Sequence, residues 1–172
     1  MPTVSRTLAL PAFSRQRVLI FSVLWLLSIA PFFLLHSQWI TGPFVNAVLI
    51  LATVILGPAE AIVIGLFPSA IALASGLLPL PLAPMVPFIM ISNAIFVGSF
   101  HFLRSRSSVA GVIAGSALKF TFLSLAARFI VAKLTPTLTL TLLAMMGWPQ
   151  LITALIGGFV ALAILTPFKS RA

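Results

Sequence analysis

Apolar residues come in long runs, and short clusters of proline, glycine, polar and basic residues separate them. The runs predict six membrane-spanning helices at about 18–35, 43–56, 59–75, 87–103, 109–131 and 149–165. Arg15 and Arg17 precede the first, and no small-residue cleavage site ends it, so it reads as a retained helix rather than a signal peptide. His36-Ser37-Gln38-Trp39 reads as a polar interfacial turn, and Pro43 suits the first turn of the second helix. That second run is short for a ~30 Å hydrocarbon core, so its helix tilts little or stops within the protein. Gly57-Pro58-Ala59-Glu60 stops one helix and starts the next, with Glu60 in a first turn where the helix dipole favours negative charge. Pro68 predicts a kink in the third helix.

The connectors differ in character. The stretch 76–84, with Pro79, Pro81 and Pro84, predicts an extended apolar loop, a lid or strap packed on the protein. Arg104 to Ser108 is a basic turn. From Thr135 to Thr141 threonine and leucine alternate with period two, which predicts an extended connector, followed by an interfacial helical turn at 142–146. Pro149 opens the last helix. Gly111-xxx-Gly115 and Gly157-xxx-Ala161 are small-residue pairs suited to close helix contact within the molecule.

Composition agrees with a bilayer. The 172 residues are 61% hydrophobic and 6% charged, against about a quarter charged in soluble domains. Such a length holds one compact bundle and leaves no room beside it for a soluble catalytic or nucleotide-binding domain. With no cysteine, disulfides, thiolate metal sites and cysteine nucleophiles are excluded. The net charge of +9 does not point to nucleic acid, because the basic residues sit at the ends of apolar runs and form no patch. Placing both termini in the cytoplasm puts Arg6, Arg15, Arg17, Arg104, Arg106, Lys169 and Arg171 inside, and Lys133 with Arg128 outside or at the boundary. That bias sets the expected orientation.

Lys119 is the most informative residue. It lies about 11 residues into the fifth span, or ~16 Å along it, near mid-membrane. Glu60, the only acid in the chain, is predicted near the inner surface, so a permanent carboxylate partner is not expected. Two readings are open: Lys119 snorkels or binds helix-end carbonyls, or it meets a polar or anionic ligand. Arg128, nine residues on, falls roughly 180° round the helix and reads as a boundary anchor. Asn93 approaches the depth of Lys119. Asn46 and Gln150 lie near the outer ends of their helices, and Thr153 shares a face with Gln150. Each amide could instead join two helices. Together, however, they decorate only the outer half, which describes a pocket open outward and closed below rather than a pore. Trp39 and Trp148 flank the outer boundary as belt residues or as ligand-stacking rings. His36 and His101 fall at opposite ends, so no shared metal site is expected, and Met85, Met90, Met145 and Met146 read as core filling. No Walker loop, nucleophile elbow, HExxH or carboxylate pair occurs, so neither an enzyme nor a carboxylate-coupled transporter is expected.

Gly42-Pro43-x-x-Asn46, the Gly57 break, Pro68, Gly76 with its proline strap, Pro87-Phe88-Ile89-x-x-x-Asn93, Lys119-Phe120 and Pro149-Gln150-Leu151 together resemble the S components of energy-coupling factor (ECF) transporters. The likeness runs from about Gln38 to Leu165. It implies a six-helix bundle in a bacterial or archaeal cell membrane that captures a vitamin or similar micronutrient at its outer side. It also implies a transmembrane coupling subunit and two ATPases as partners, with energy supplied by those ATPases. Lys119, Asn93, Asn46 and Gln150 are the expected ligand contacts, with Trp39, Thr41, Trp148 and Thr153 around them. One departure is that the first helix offers Ser22, Ser28 and Ala30 but no clean Ala-xxx-Ala pair for docking to a coupling subunit. The rival expectation is a structural or assembly membrane protein whose amides only join helices.

Overall fold

The computed structural model describes residues 14–34, 37–131 and 136–169. Arg6, His36, Lys133, Thr135 and Arg171 lie outside those residues. The described chain forms α1 (Arg15–Leu34), α2 (Gln38–Ile55), α3 (Pro58–Ala74), α4 (Val86–Leu103), α5 (Ser108–Val131), α6 (Pro136–Met146) and α7 (Trp148–Lys169), and one 3-10 helix, the strap, at Leu80–Met85. No strand occurs among the described residues. Of these helices α1, α2, α4, α5 and α7 are long and apolar enough to cross a membrane, while α3 is apolar but shorter, at 17 residues. By length and composition this is an all-α, multi-pass membrane protein.

Three local expectations change. Helix α2 begins at Gln38, so Pro43 sits inside it rather than in its first turn. A proline there costs one backbone bond, the one Trp39 would have accepted, close enough to the end for the helix to continue. The period-two stretch is helical from Pro136 onwards. In an apolar setting a helix pairs its own backbone, whereas a strand needs a neighbour, and none is described here. The proline-rich stretch is also more regular than an extended loop. Gly76, at φ +77°, turns the chain out of α3. The 3-10 turn then forms around the Leu82 amide, which donates to the Pro79 carbonyl at 2.8 Å. Three residues per turn place Leu82 and Met85 on one face, and both are buried.

Helix α2 is the centre of the bundle, packed against α7, α3, α1 and α4. Close approach to α7 depends on Gly157: a Cβ there would overlap the Pro43 carbonyl oxygen and come within 2.8 Å of the Asn46 Cβ. Gly111 and Gly115 do the same for α4 and α5, where Phe100 and Phe96 lie against them. Gly57, at φ +113°, makes the break between α2 and α3 that the Gly-Pro pair predicts.

The two ends of the bundle are built differently. At the basic end, Arg17 forms an ion pair with Glu60 and donates to the Leu56 carbonyl at 2.6 Å. Arg104 donates to the Thr53 carbonyl at 3.3 Å, so two arginines hold the last carbonyls of α2. At the strap end a second apolar cluster joins Leu78, Leu82 and Met85 to Leu123 of α5 and to Leu142 and Met146 of α6. Helix α6 and the strap together roof that end.

Candidate binding site

Beneath that roof lies a cavity of about 100 Å³, measured to the centres of water-sized spheres. Its walls include Gln38, Thr41, Val45 and Asn46 of α2, Ser69 of α3, Ile89 and Asn93 of α4, Lys119 of α5 and Gln150 of α7, with Leu78 and Met146 from the roof. Gln38 and Asn46 are eight residues apart on one helix, so the cavity extends about 12 Å along α2.

Lys119 forms the floor and is only 3% exposed. Its ammonium donates to Asn46 Oδ1 at 2.7 Å and to Asn93 Oδ1 at 2.8 Å, and it stands 5.6 Å from the centre of the Phe96 ring. Each asparagine is fixed from behind. Asn46 Nδ2 donates to the Gly42 carbonyl at 2.9 Å, and Asn93 Nδ2 donates to the Gly65 carbonyl at 2.8 Å. An amide can donate to a carbonyl only through its nitrogen, so both amide oxygens turn towards the ammonium. Gly65 is a glycine because a Cβ would sit 3.2 Å from both the Asn93 Cβ and a Leu49 methyl. The floor is therefore a preset cradle: one cation, two neutral acceptors, and no carboxylate. Glu60 is held at the basic end by Arg17. Two of the three ammonium protons are bonded, and no third protein acceptor is found among the described residues.

At the rim, Gln38 Nε2 and Gln150 Nε2 both donate to the Met145 carbonyl, at 2.9 and 3.2 Å. This ties the start of α2 and the start of α7 to the last turn of α6. Comparison of the chain with family models, curated proteins and solved structures finds no match.

Of the eight residues expected at a site, the structure brings Lys119, Asn93, Asn46, Gln150 and Thr41 to this cavity. Thr41 is buried, with its hydroxyl donating to the Ser37 carbonyl at 3.1 Å. The other three lie elsewhere. Trp39 is 56% exposed on the outside of α2. Trp148, 67% exposed, stacks on Phe120 at 5.2 Å beside a separate surface cleft that also holds Arg128 and Ser124. Thr153 is buried against Gly42, whose missing Cβ makes the room, and its hydroxyl donates to the Gln150 carbonyl at 3.3 Å. Asn46 is not near the end of its helix. The earlier start of α2 lowers it to the depth of Lys119.

Sequence reasoning missed Ser69 and Gln38. Ser69 lies one turn beyond Gly65 on α3, a spacing that could have flagged it once Gly65 was known to face the cradle. Gln38 was hidden by being read as a turn residue. No three histidine, cysteine or acidic side chains converge among the described residues to hold a metal.

Proposed function

We propose that this chain is the solute-capturing subunit of an uptake transporter and that its cavity binds a small anionic nutrient over Lys119. The observation that carries this reading is the unbalanced ammonium: a buried cation lining a hollow, with amide oxygens for company and no acid in reach. A buried charge is stable only when paired or hydrogen-bonded, and an anion entering the cavity completes the pairing. The roof of strap and α6 gives the cavity one side, the end opposite the arginines. The positive-inside rule then puts the basic end in the cytoplasm and the cavity mouth outside. Capture from outside with no energy source in the chain fits the S-component architecture that the sequence resembles, with a coupling subunit and two ATPases in a bacterial or archaeal membrane doing the work.

A second reading follows from the same cradle. The chain Gly65–Asn93–Lys119–Asn46–Gly42 links α3, α4, α5 and α2, and so could serve only to lock helices. The two readings part in one experiment. Wild type and Lys119→Met are purified in nanodiscs, exposed to a metabolite extract, washed and analysed by mass spectrometry. Capture predicts a small anion retained by wild type and absent from the variant. Identical spectra, with no retained solute in either, would favour the structural lock.

A further inference from the structure

The capture reading leaves the solute's chemistry open, and the cavity narrows it. Three buried serine hydroxyls have no partner among the described residues, at Ser69, Ser116 and Ser124. Of these only Ser69 lines the cavity. Serine and threonine in apolar helices ordinarily satisfy themselves on a carbonyl three or four residues back, as Ser28, Thr41, Thr53 and Ser92 do. For Ser69 the carbonyl four back is that of Gly65, and it already accepts the Asn93 side-chain amide. The Ser69 hydroxyl, one turn above, has no partner among the described residues. Ser69 is itself 4% exposed, so bulk water does not serve it.

The donors lining this space thus include the third proton of the Lys119 ammonium and the hydroxyl of Ser69. We propose that the solute is a singly charged carboxylate, whose two oxygens accept from Lys119 Nζ and Ser69 Oγ, and that this assignment rests on the capture reading. Charge sets the valence. One cation and no other charged group in the walls balance one negative charge, whereas a phosphate monoester carries about −1.5 to −2 at pH 7 and would bury the excess. The remainder of the wall, Val45, Leu78, Ile89 and Met146, calls for an apolar body. The volume of about 100 Å³ limits that body to a short chain or a single ring.

The test uses the full chain in nanodiscs and isothermal titration with six compounds: pentanoate and benzoate, pentanamide and benzamide, glutarate and phenyl phosphate. The two monocarboxylates should bind at least tenfold more tightly than the amides and the dianions. Ser69→Ala should weaken monocarboxylate binding about tenfold, the loss of one hydrogen bond to a charged group. Lys119→Met should erase the preference for acid over amide. Amides or dianions binding as well as the acids would overturn the assignment, as would an unaltered acid affinity in Ser69→Ala. If none of the six binds while a metabolite extract still yields a retained solute, the cavity takes another class of ligand and the carboxylate assignment is wrong. If the extract yields nothing either, the capture reading falls with it.

Discussion

Lys119 and Asn46, 73 positions apart in the chain, meet at 2.7 Å between Nζ and Oδ1. That contact joins the middle of α5 to the middle of α2, the helix on which the bundle is built. Its energetic meaning depends on what else reaches the ammonium. Two neutral oxygens stabilise a cation but do not cancel it, so the site is held ready in shape and left unbalanced in charge.

That imbalance can be tested from the protein side. Asn93→Asp puts a carboxylate where an amide now accepts from Lys119 at 2.8 Å. The built-in anion should then compete with any solute anion, and binding of a small carboxylate should weaken by a factor of ten or more. Titration calorimetry on the variant and on wild type reads this directly. Unchanged affinity would mean that charge plays no part at the site.

Removing the amide altogether has a different signature. Asn93→Leu deletes the bonds to the Gly65 carbonyl and to Lys119, leaving a buried ammonium with one acceptor. The expected cost is about 2–4 kcal/mol of stability. Thermal unfolding in detergent should show it as a clear drop in midpoint.

Helix spacing gives a prediction independent of any ligand. Gly157→Ala should force α7 away from α2, because the new methyl would overlap the Pro43 carbonyl oxygen, and should cost roughly 1–3 kcal/mol. Gly98→Ala is the control. Nothing lies within 4 Å of its Cβ position, and alanine is the better helix former, so stability should hold or rise slightly. Equal effects at the two positions would contradict the packing described here.

The roof is held partly by side chains from below. Gln38→Leu removes one of the two donors to the Met145 carbonyl and leaves Gln150 as the other. Amides in α6 and at its junction with α7 should then exchange with deuterium several-fold faster, with the rest of the bundle unaffected. Uniform exchange across wild type and variant would show that α6 is fixed by its apolar contacts alone.

Much of this arrangement was legible because membranes restrict the options. Gly57-Pro58 marks the α2–α3 break, and the proline at 87 marks the start of α4 to within a residue, since both residue types act locally on the backbone. The shared depth of Lys119 and Asn93 followed from helical rise. Other features depended on partners that no local pattern encodes. Pro43 looked like a helix start, and only the packing of residues 38–42 extends α2 past it, which is why Asn46 was placed too high. The Thr/Leu alternation carried a strand period into a place where, among the described residues, no strand lies to pair with it, and it is helical from Pro136. Ser69 was invisible because no local pattern shows that α3 turns its hydroxyl to the cavity and leaves it without a partner.

The ion pair of Arg17 with Glu60 has one further effect. By keeping the chain's single acid at the edge, it leaves the Lys119 ammonium with amide partners only, and in a bilayer that charge would lie deep in the transmembrane field. That field does work of about 2.3 kcal/mol per charge for each 100 mV over the full thickness. On the capture reading, a monoanion in the cradle would make the same region electrically silent, so resting voltage should act on the vacant protein and pass over the loaded one.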